Sequence, residues 1–550
     1  MSSYLTGSFS TRDTPQTQPI PGGTQAPNSA GGYVWEVDDW TRLERFLILG
    51  SEGGSYYASQ RTLTVANAEA VLRCIREDGP RTVATIAKVS VEGRAPKNDP
   101  AIFALALAAS HDTIGPTPPA GDPRRAQANR EEQTRQAAML ALPTVCRTGT
   151  HLFQFIGFVE EHRGWGRALR RAVGQWYTDK SLDRIGYQVV KYRQRAGWAH
   201  RDLLRLAHPT PGDAEIDALF AWLAGKTAEG DAPLPVAVEA YEEAQRAADP
   251  KAIVQLIARY GDKLPRESIP PEHMTAEVWD ALLRTDNGMP MTALIRNLAT
   301  MTRVGLLEPM SSATRVVCEQ LADAERLRSA RVHPLAVLVA LKTYEQGRSA
   351  RGIGAWQAVP QVVDALDGAF YAAFGNVEAT GKRTMLALDV SGSMGFTEIA
   401  GMPGVTPRDA SAAMALVTAA VEPNYVINGF CDTFVPLTIT PRQRLDDVVR
   451  TVSNLPFART DCSLPMLHAL RNGLEIDTFV IYTDSETYAG HPHPAQALRM
   501  YRERTGIPAK LVVVGMVSNG FTIADPNDAG MLDVVGMDTA TPQVIGQFSA

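Results

Sequence analysis

Cysteine is scarce and scattered. Cys74, Cys146, Cys318, Cys431 and Cys462 are the whole complement in 550 residues, and no two form a C-x-x-C pair. That pattern argues against a disulfide framework and a thiolate zinc site. No apolar run reaches the roughly 18 residues a membrane span requires, so no membrane partner is expected. Residues 1–32 lack both a basic start and an apolar h-region, which excludes a secretory signal and points to the cytoplasm. This stretch is rich in Ser, Thr, Pro, Gly and Gln and poor in residues to bury, so it reads as a disordered N-terminal arm. Positive charge is also in deficit: 54 Lys and Arg stand against 60 Asp and Glu, a net charge of −6. Evenly spread, that charge would repel a polyanion.

The charge is not evenly spread. Residues 161–205 hold eleven cations and four anions, a local net charge of +7. The cations include Arg170, Arg171, Arg184, Lys191, Arg193 and Arg195. Local charge decides where a polyphosphate docks. Trp165, Trp176, Tyr177, Tyr187, Tyr192 and Trp198 are interleaved with them, and aromatic rings can stack on unpaired bases. In "SLDRIGYQVVKYRQR", Arg184, Lys191 and Arg195 are spaced by seven and four residues, which predicts one shared helix face.

From about residue 66 to 374 apolar residues recur every three or four positions, as in "AIFALALAAS", "GTHLFQFIGFVEEH" and "KAIVQLIARYG". The period predicts medium-length amphipathic helices, and their number suggests stacked helix pairs. Beyond "VEATGKR" the pattern changes. "TMLALDV", "NYVINGF", "TFVIYTD" and "KLVVVGM" are short, continuous apolar runs separated by helical stretches. Strands alternating with helices predict a doubly wound α/β domain, with ligands beyond the carboxyl ends of the strands.

Two motifs fall on that edge. "DVSGSM" follows one strand and "TDSETY" another. Asp389, Ser391 and Ser393, with Thr460 in "RTDCSLPM" and Asp484, offer five oxygen donors and neither sulfur nor imidazole. Magnesium prefers oxygen ligands and keeps several waters. The set therefore predicts a site for one divalent cation, most simply Mg2+. "GNVEATGKR" mimics a phosphate loop but has the wrong glycine spacing and Arg383 in place of the needed hydroxyl; it reads as a domain junction. His491 and His493 flank a proline and read as a solvated turn. No nucleophile, general base or hydrolytic metal pair stands out, so no catalysis is expected.

Several longer stretches resemble the Ro autoantigen ribonucleoproteins, the TROVE module family, including its bacterial relatives. They are "YVWEVDDWTRLERFLILGSEGGSYY" (33–57), "KYRQRAGWAHRDLLRLAHP" (191–209), "MTALIRNLATMT" (291–302), "ALDVSGSM" (387–394), "RTDCSLPM" (459–466) and "IPAKLVVVGMVSNGFTIADPNDAGMLDVVG" (507–536). The resemblance implies a ring of HEAT-like helical repeats (33–380) whose ends are joined by a von Willebrand factor A domain (381–550) with a metal-ion-dependent adhesion site. It implies binding of small noncoding Y-type RNA on the outer ring surface and of single-stranded ends of misfolded RNA in the central hole. It further implies RNA quality control, with the Y RNA tethering a 3′-to-5′ exoribonuclease in bacteria. Family residues implicated in RNA binding match Lys191, Arg195 and His208. A monomer is expected. The other reading is a metal-dependent protein-interaction scaffold acting through the A domain. One departure stands out: the family usually has two glycines before the metal-site threonine, whereas this chain has Ala458-Arg459.

Overall fold

The computed structural model describes residues 13–50, 68–95, 97–226, 232–330, 332–348, 354–373, 379–396, 405–455, 458–517, 520–535 and 541–549. Two architectures share the chain. Helices dominate from Asp39–Leu49 to Pro360–Ala373, and a six-stranded sheet follows. The sheet is built from Thr384–Asp389, Tyr425–Phe430, Phe434–Leu437, Thr478–Thr483, Lys510–Gly515 and Met531–Val535. Its spatial order is 531–535, 510–515, 478–483, 384–389, 425–430, 434–437. All neighbours are parallel except the last strand, which pairs antiparallel with Tyr425–Phe430.

The four strands anticipated from apolar runs are present. The two central ones, Thr384–Asp389 and Thr478–Thr483, are buried at every residue, as a strand covered on both faces by helices must be. The two edge strands were not anticipated; each has partly exposed residues that interrupt the apolar run.

Helical packing proceeds along the chain. Helix Glu69–Glu92 packs on Arg125–Val145, Asp99–Ser110 on Gly149–His162, Leu182–Lys191 on Val236–Arg246, and Pro334–Glu345 on Pro360–Ala373. Asp99–Ser110 is apolar on every side and buried from Pro100 to Ala109, which makes it the axis of the first helical core. The run returns to its beginning: His333 Nε2 lies 3.2 Å from the Arg94 carbonyl, 239 residues earlier. Both ends also rest on the α/β domain. Arg45, 1 % exposed, pairs with Asp533 at 2.8 Å. At the other end Lys342 pairs with Asp409 at 2.6 Å, and Asp367 accepts from the Leu445 amide at 2.9 Å.

The N-terminal arm departs from expectation. Residues 13–32 are packed on the α/β domain, with Thr14, Gln16 and Asn28 buried. Ala26–Pro27 pairs with Tyr33–Glu36, which in turn pairs with Phe521–Thr522. The expected boundary at residue 33 thus divides two strands of one small sheet. Composition misled here because the arm binds through side-chain amides and backbone rather than apolar area. Residues 1–12, and 375–378 of the expected junction, lie outside the described residues.

Candidate nucleic-acid interface and cation site

The basic window folds into three pieces: helix Arg167–Thr178, helix Leu182–Lys191, and helix His200–Ala207 preceded by a short hairpin. The hairpin corrects one expectation. Arg184, Lys191 and Arg195 do not share a helix face, because the helix ends at Lys191 and Arg195 lies on the strand Gln194–Arg195. That strand pairs with Trp198–Ala199 across Ala196 and Gly197, both at positive φ (51° and 80°), the backbone of a tight two-residue hairpin loop.

His200 fixes the hairpin base. It is 1 % exposed; one ring nitrogen lies 2.8 Å from the Tyr192 carbonyl and the other 2.7 Å from the Tyr177 hydroxyl. Burial lowers its pKa to about 3, so it is neutral, with Nε2–H donating to Tyr192 and Nδ1 accepting from Tyr177.

Arg167, Arg170, Arg171, Arg184, Arg195, Arg201 and Arg205 are exposed and make no ion pair among the described residues. Arg193 is exposed too, its guanidinium 4.5 Å from the Tyr241 ring and 5.8 Å from that of Trp222. Lys191 is half-buried, its ammonium 3.3 Å from the Tyr187 hydroxyl and 5.2 Å and 5.6 Å from the Tyr187 and Tyr192 rings. His208 is exposed in a left-handed helix C-cap at φ 47°. Lys180 differs: it folds over the Trp176 ring at 3.5 Å and donates to the Trp176 carbonyl. Trp176 and Tyr177 are fully buried core and not stacking platforms, because the i, i+3, i+4 stripe of their helix faces inward. Trp165, Tyr187, Tyr192 and Trp198 are half-buried.

Lys191 and Arg184 also border a crevice of about 760 Å³ between the helix Leu182–Lys191 and the segments 261–267 and 287–293. Lys263, Arg266 and Arg326 line it as well, giving five cations against Asp183, Asp262 and Glu267.

The acidic set lies at the carboxyl ends of adjacent parallel strands. Asp389 closes Thr384–Asp389; Asp484 follows Thr478–Thr483. The Asp389 carboxylate is fully buried and accepts from the Ser391 amide at 2.9 Å and the Thr483 hydroxyl at 2.7 Å. Ser391 and Ser393 hydroxyls lie 3.0 Å apart, and Ser393 bonds the Asp484 carboxylate. Burial first, and then the facing Asp484 charge, raises the Asp389 pKa; burial likewise raises that of Asp484. Thr460 is buried, and its carbonyl accepts from Tyr488 and Ala489 at 3.1 and 3.0 Å, which ties its loop to that of Asp484. Among the described residues no hydrogen bond joins the Thr460 hydroxyl to the other four donors.

Two buried carboxylates that oppose each other's ionisation, ringed by hydroxyls, suit a hard divalent cation, whose charge would offset both. Among the described residues no group of three or more His, Cys, Asp or Glu side chains could hold a metal, so the hydroxyls are integral to such a site.

Sequence reasoning missed two supporting residues. Thr483 was legible in principle, since the last residue of the neighbouring parallel strand lies level with Asp389 and on the same face of the sheet. Arg408, 5 % exposed, donates to the Val390 and Ser391 carbonyls at 2.5 and 2.9 Å and braces the loop; nothing in its local sequence signals this. Arg459 turns toward Asp432 at 3.8 Å and is 67 % exposed.

Comparison with known proteins agrees with this layout. A family profile described as "TROVE domain" matches residues 26–248 and 265–343, and one described as "Ro60 vWA domain" matches 383–549. "RNA-binding protein RO60" of Deinococcus radiodurans is 42 % identical over 537 residues, covering 97 % of each chain. The Caenorhabditis elegans protein of the same name is 36 % identical over 585 residues, covering 95 % of this chain and 90 % of that one. The crystal structure of the Deinococcus radiodurans Ro (RSR) protein superposes with a TM-score of 0.69 at 41 % identity, covering 93 % of this chain and 99 % of that one. A closed helical run bearing a surplus of exposed arginines, joined at both ends to an A domain, is therefore this chain's version of a shared architecture: the chain belongs to the Ro family, with a TROVE domain followed by a Ro60-type von Willebrand factor A domain.

Proposed function

We propose that the protein binds RNA and performs no chemistry on it. One observation carries this reading: seven arginines are exposed without ion pairs among the described residues, on one part of a chain whose net charge is −6. So many like charges gathered in solvent create a local positive potential that attracts a polyanion, and counterion release on binding phosphates supplies affinity. The names of the relatives support the same reading. Arg170, Arg171, Arg193, Arg195 and His208 form the outer contact surface, and Lys191 sits where that surface meets the crevice. In this reading a small Y-type RNA occupies the surface, and single-stranded ends of misfolded RNA enter the opening within the helical part. The monomeric particle acts in cytoplasmic RNA quality control, with the bound RNA tethering a 3′-to-5′ exoribonuclease. Magnesium held by Asp389, Ser391, Ser393, Thr460 and Asp484 would supply one open coordination position for a partner's carboxylate.

The test is RNA affinity against salt. Replacing Lys191 and Arg195 together with alanine should weaken binding at least tenfold at low salt. It should also flatten the slope of log K against log salt by about 1.5. An unchanged slope removes both residues from the interface.

A second reading, protein docking through the A domain, is favoured by Phe396, which is 67 % exposed at the end of the short helix Gly392–Phe396 that carries Ser393. Nucleic acid copurifying with the protein, seen as a raised 260/280 nm ratio, separates the two.

A further inference from the structure

We propose that Gln16 and Asn28, on the N-terminal segment, are positioning residues of the candidate cation site: they grip the two loops that carry Thr460 and Asp484 and set the direction of the Asp484 carboxylate. The inference rests on reading those residues as cation ligands.

Gln16 bridges the loops directly. Its side chain is fully buried; Nε2 donates to Asp461 Oδ1 at 2.8 Å and to the Pro492 carbonyl at 3.0 Å, while Oε1 accepts from the Thr487 hydroxyl. Asp461 follows Thr460, and Thr487 lies three residues after Asp484. The same Thr487 oxygen accepts from the Cys462 amide at 3.0 Å, so one glutamine closes a network spanning both loops.

Asn28 acts on the residue beside the ligand. Its Oδ1 closes its own turn by accepting from the amides of Ala30 (3.2 Å) and Gly32 (2.8 Å). Its Nδ2 donates outward to the carbonyls of Thr487 (2.9 Å) and Ser485 (3.3 Å). Ser485 is 1 % exposed at φ 62°, a left-handed backbone that residues other than glycine seldom adopt. Such a conformation persists only where the surroundings over-determine it. Here the loop's own bonds, the Ser485 amide to the Thr483 hydroxyl and the Glu486 amide to Asp484 Oδ1 at 3.0 Å each, are joined from outside by the arm: Asn28 holds the Ser485 carbonyl, and the Ala30 amide holds Glu486 Oε2 at 3.1 Å. Gly32 passes so close that a Cβ would lie 1.9 Å from the Thr487 carbonyl oxygen.

The electrostatics give this grip a purpose. Asp389 and Asp484 repel when both are ionised, and the loop of Asp484 would relax away from the strand of Asp389 unless held. Neutral amide donors hold it without adding charge. Arm docking and cation binding are then linked, each strengthening the other by the same factor.

The experiment uses the full chain, MgCl2 and two variants. Asn28→Asp keeps the acceptor that closes the arm's turn but turns a second oxygen toward two carbonyls; Gly32→Ala pushes the arm off Thr487. Calorimetric titration should show magnesium binding by the unsubstituted protein and roughly tenfold weaker binding by each variant. Amide exchange at 485–489 should quicken in both. In the unsubstituted protein, magnesium should slow exchange across residues 14–32, a readout that needs no variant. Equal magnesium affinity in all three proteins, or unaltered exchange at 485–489, overturns the positioning role. Absence of magnesium binding by the unsubstituted protein, with exchange at 485–489 still responding to the variants, overturns the cation reading and leaves the arm as a structural clamp.

Discussion

The basic surface and the acidic strand-end site place like charges together in opposite ways. On the surface, seven arginines stand in solvent, where high dielectric and mobile ions make their mutual repulsion cheap. At the strand ends, two carboxylates are buried, so desolvation raises both acids and the Asp484 charge further raises Asp389. An exposed cluster can wait for a long, loosely specified polyanion whose binding fades with salt. A buried pair wants one small cation at a fixed place, and salt should scarcely affect it. In the proposed reading the two sites call for opposite partners, and different solution conditions address them separately.

The sharpest way to break this comparison is to neutralise one member of the buried pair. Asp389→Asn removes the opposing charge and a ligand together. Without magnesium the variant should unfold at the same temperature as the parent or a higher one, since the repulsion is gone. Added MgCl2 should raise the parent's unfolding temperature and leave the variant's unchanged, because a ligand stabilises only the state that binds it. RNA affinity should not change. A variant that still gains stability from magnesium would place the ion elsewhere.

The basic surface has a buried dependence of its own, and pH reveals it. His200 is neutral in the fold with a pKa near 3, against about 6.5 when unfolded. The unfolded chain therefore binds more protons between those values. The contribution is fully present above pH 6.5 and is lost progressively as pH falls toward 3, by up to about 1.4 kcal/mol per pH unit. His151 and His333, also lowered to about 4 by burial, add to the acid limb. Denaturant melts of His200→Gln against the parent isolate its share. The variant should lose about 1–3 kcal/mol at pH 7 from its unsatisfied neighbours and show a shallower decline below pH 6.5. Its RNA affinity should fall at neutral pH as well, because the hairpin carrying Arg195 is tied to the Tyr192 carbonyl that His200 holds. A parallel decline in both proteins would mean that His200 titrates freely.

These regions also differ in how far the sequence betrays them. The strand-end acids were legible in position because a parallel strand announces itself as an apolar run and its polar end residues follow at once, as in "ALDVSGSM" and "VIYTDSE". The arginines were legible as a surplus but not as a shape. Helical spacing extended through "KYRQR" put Arg195 on the wrong element, since the turn depends on Ala196 accepting φ 51°, which no residue-type rule anticipates. The arm was illegible for a different reason. Its hold comes from Gln16 and Asn28 meeting partners more than 400 residues away, and composition records neither partner nor distance.

The smallest expected effect concerns Arg459, which precedes Thr460 of the proposed cation site where the family resemblance leads one to expect glycine. A cation beside the ion would weaken binding if its charge faced the ligands. Instead the side chain is 67 % exposed and turned toward Asp432 at 3.8 Å, in solvent that screens it. Arg459→Gly should therefore change magnesium affinity by less than about twofold, and stability by less than about 0.5 kcal/mol, as for other exposed pairs. The glycine also frees the loop backbone, which sets the direction of any small loss in stability. A gain in magnesium affinity of tenfold or more would show that Arg459 reaches the site in solution, and that the buried pair feels surface charge after all.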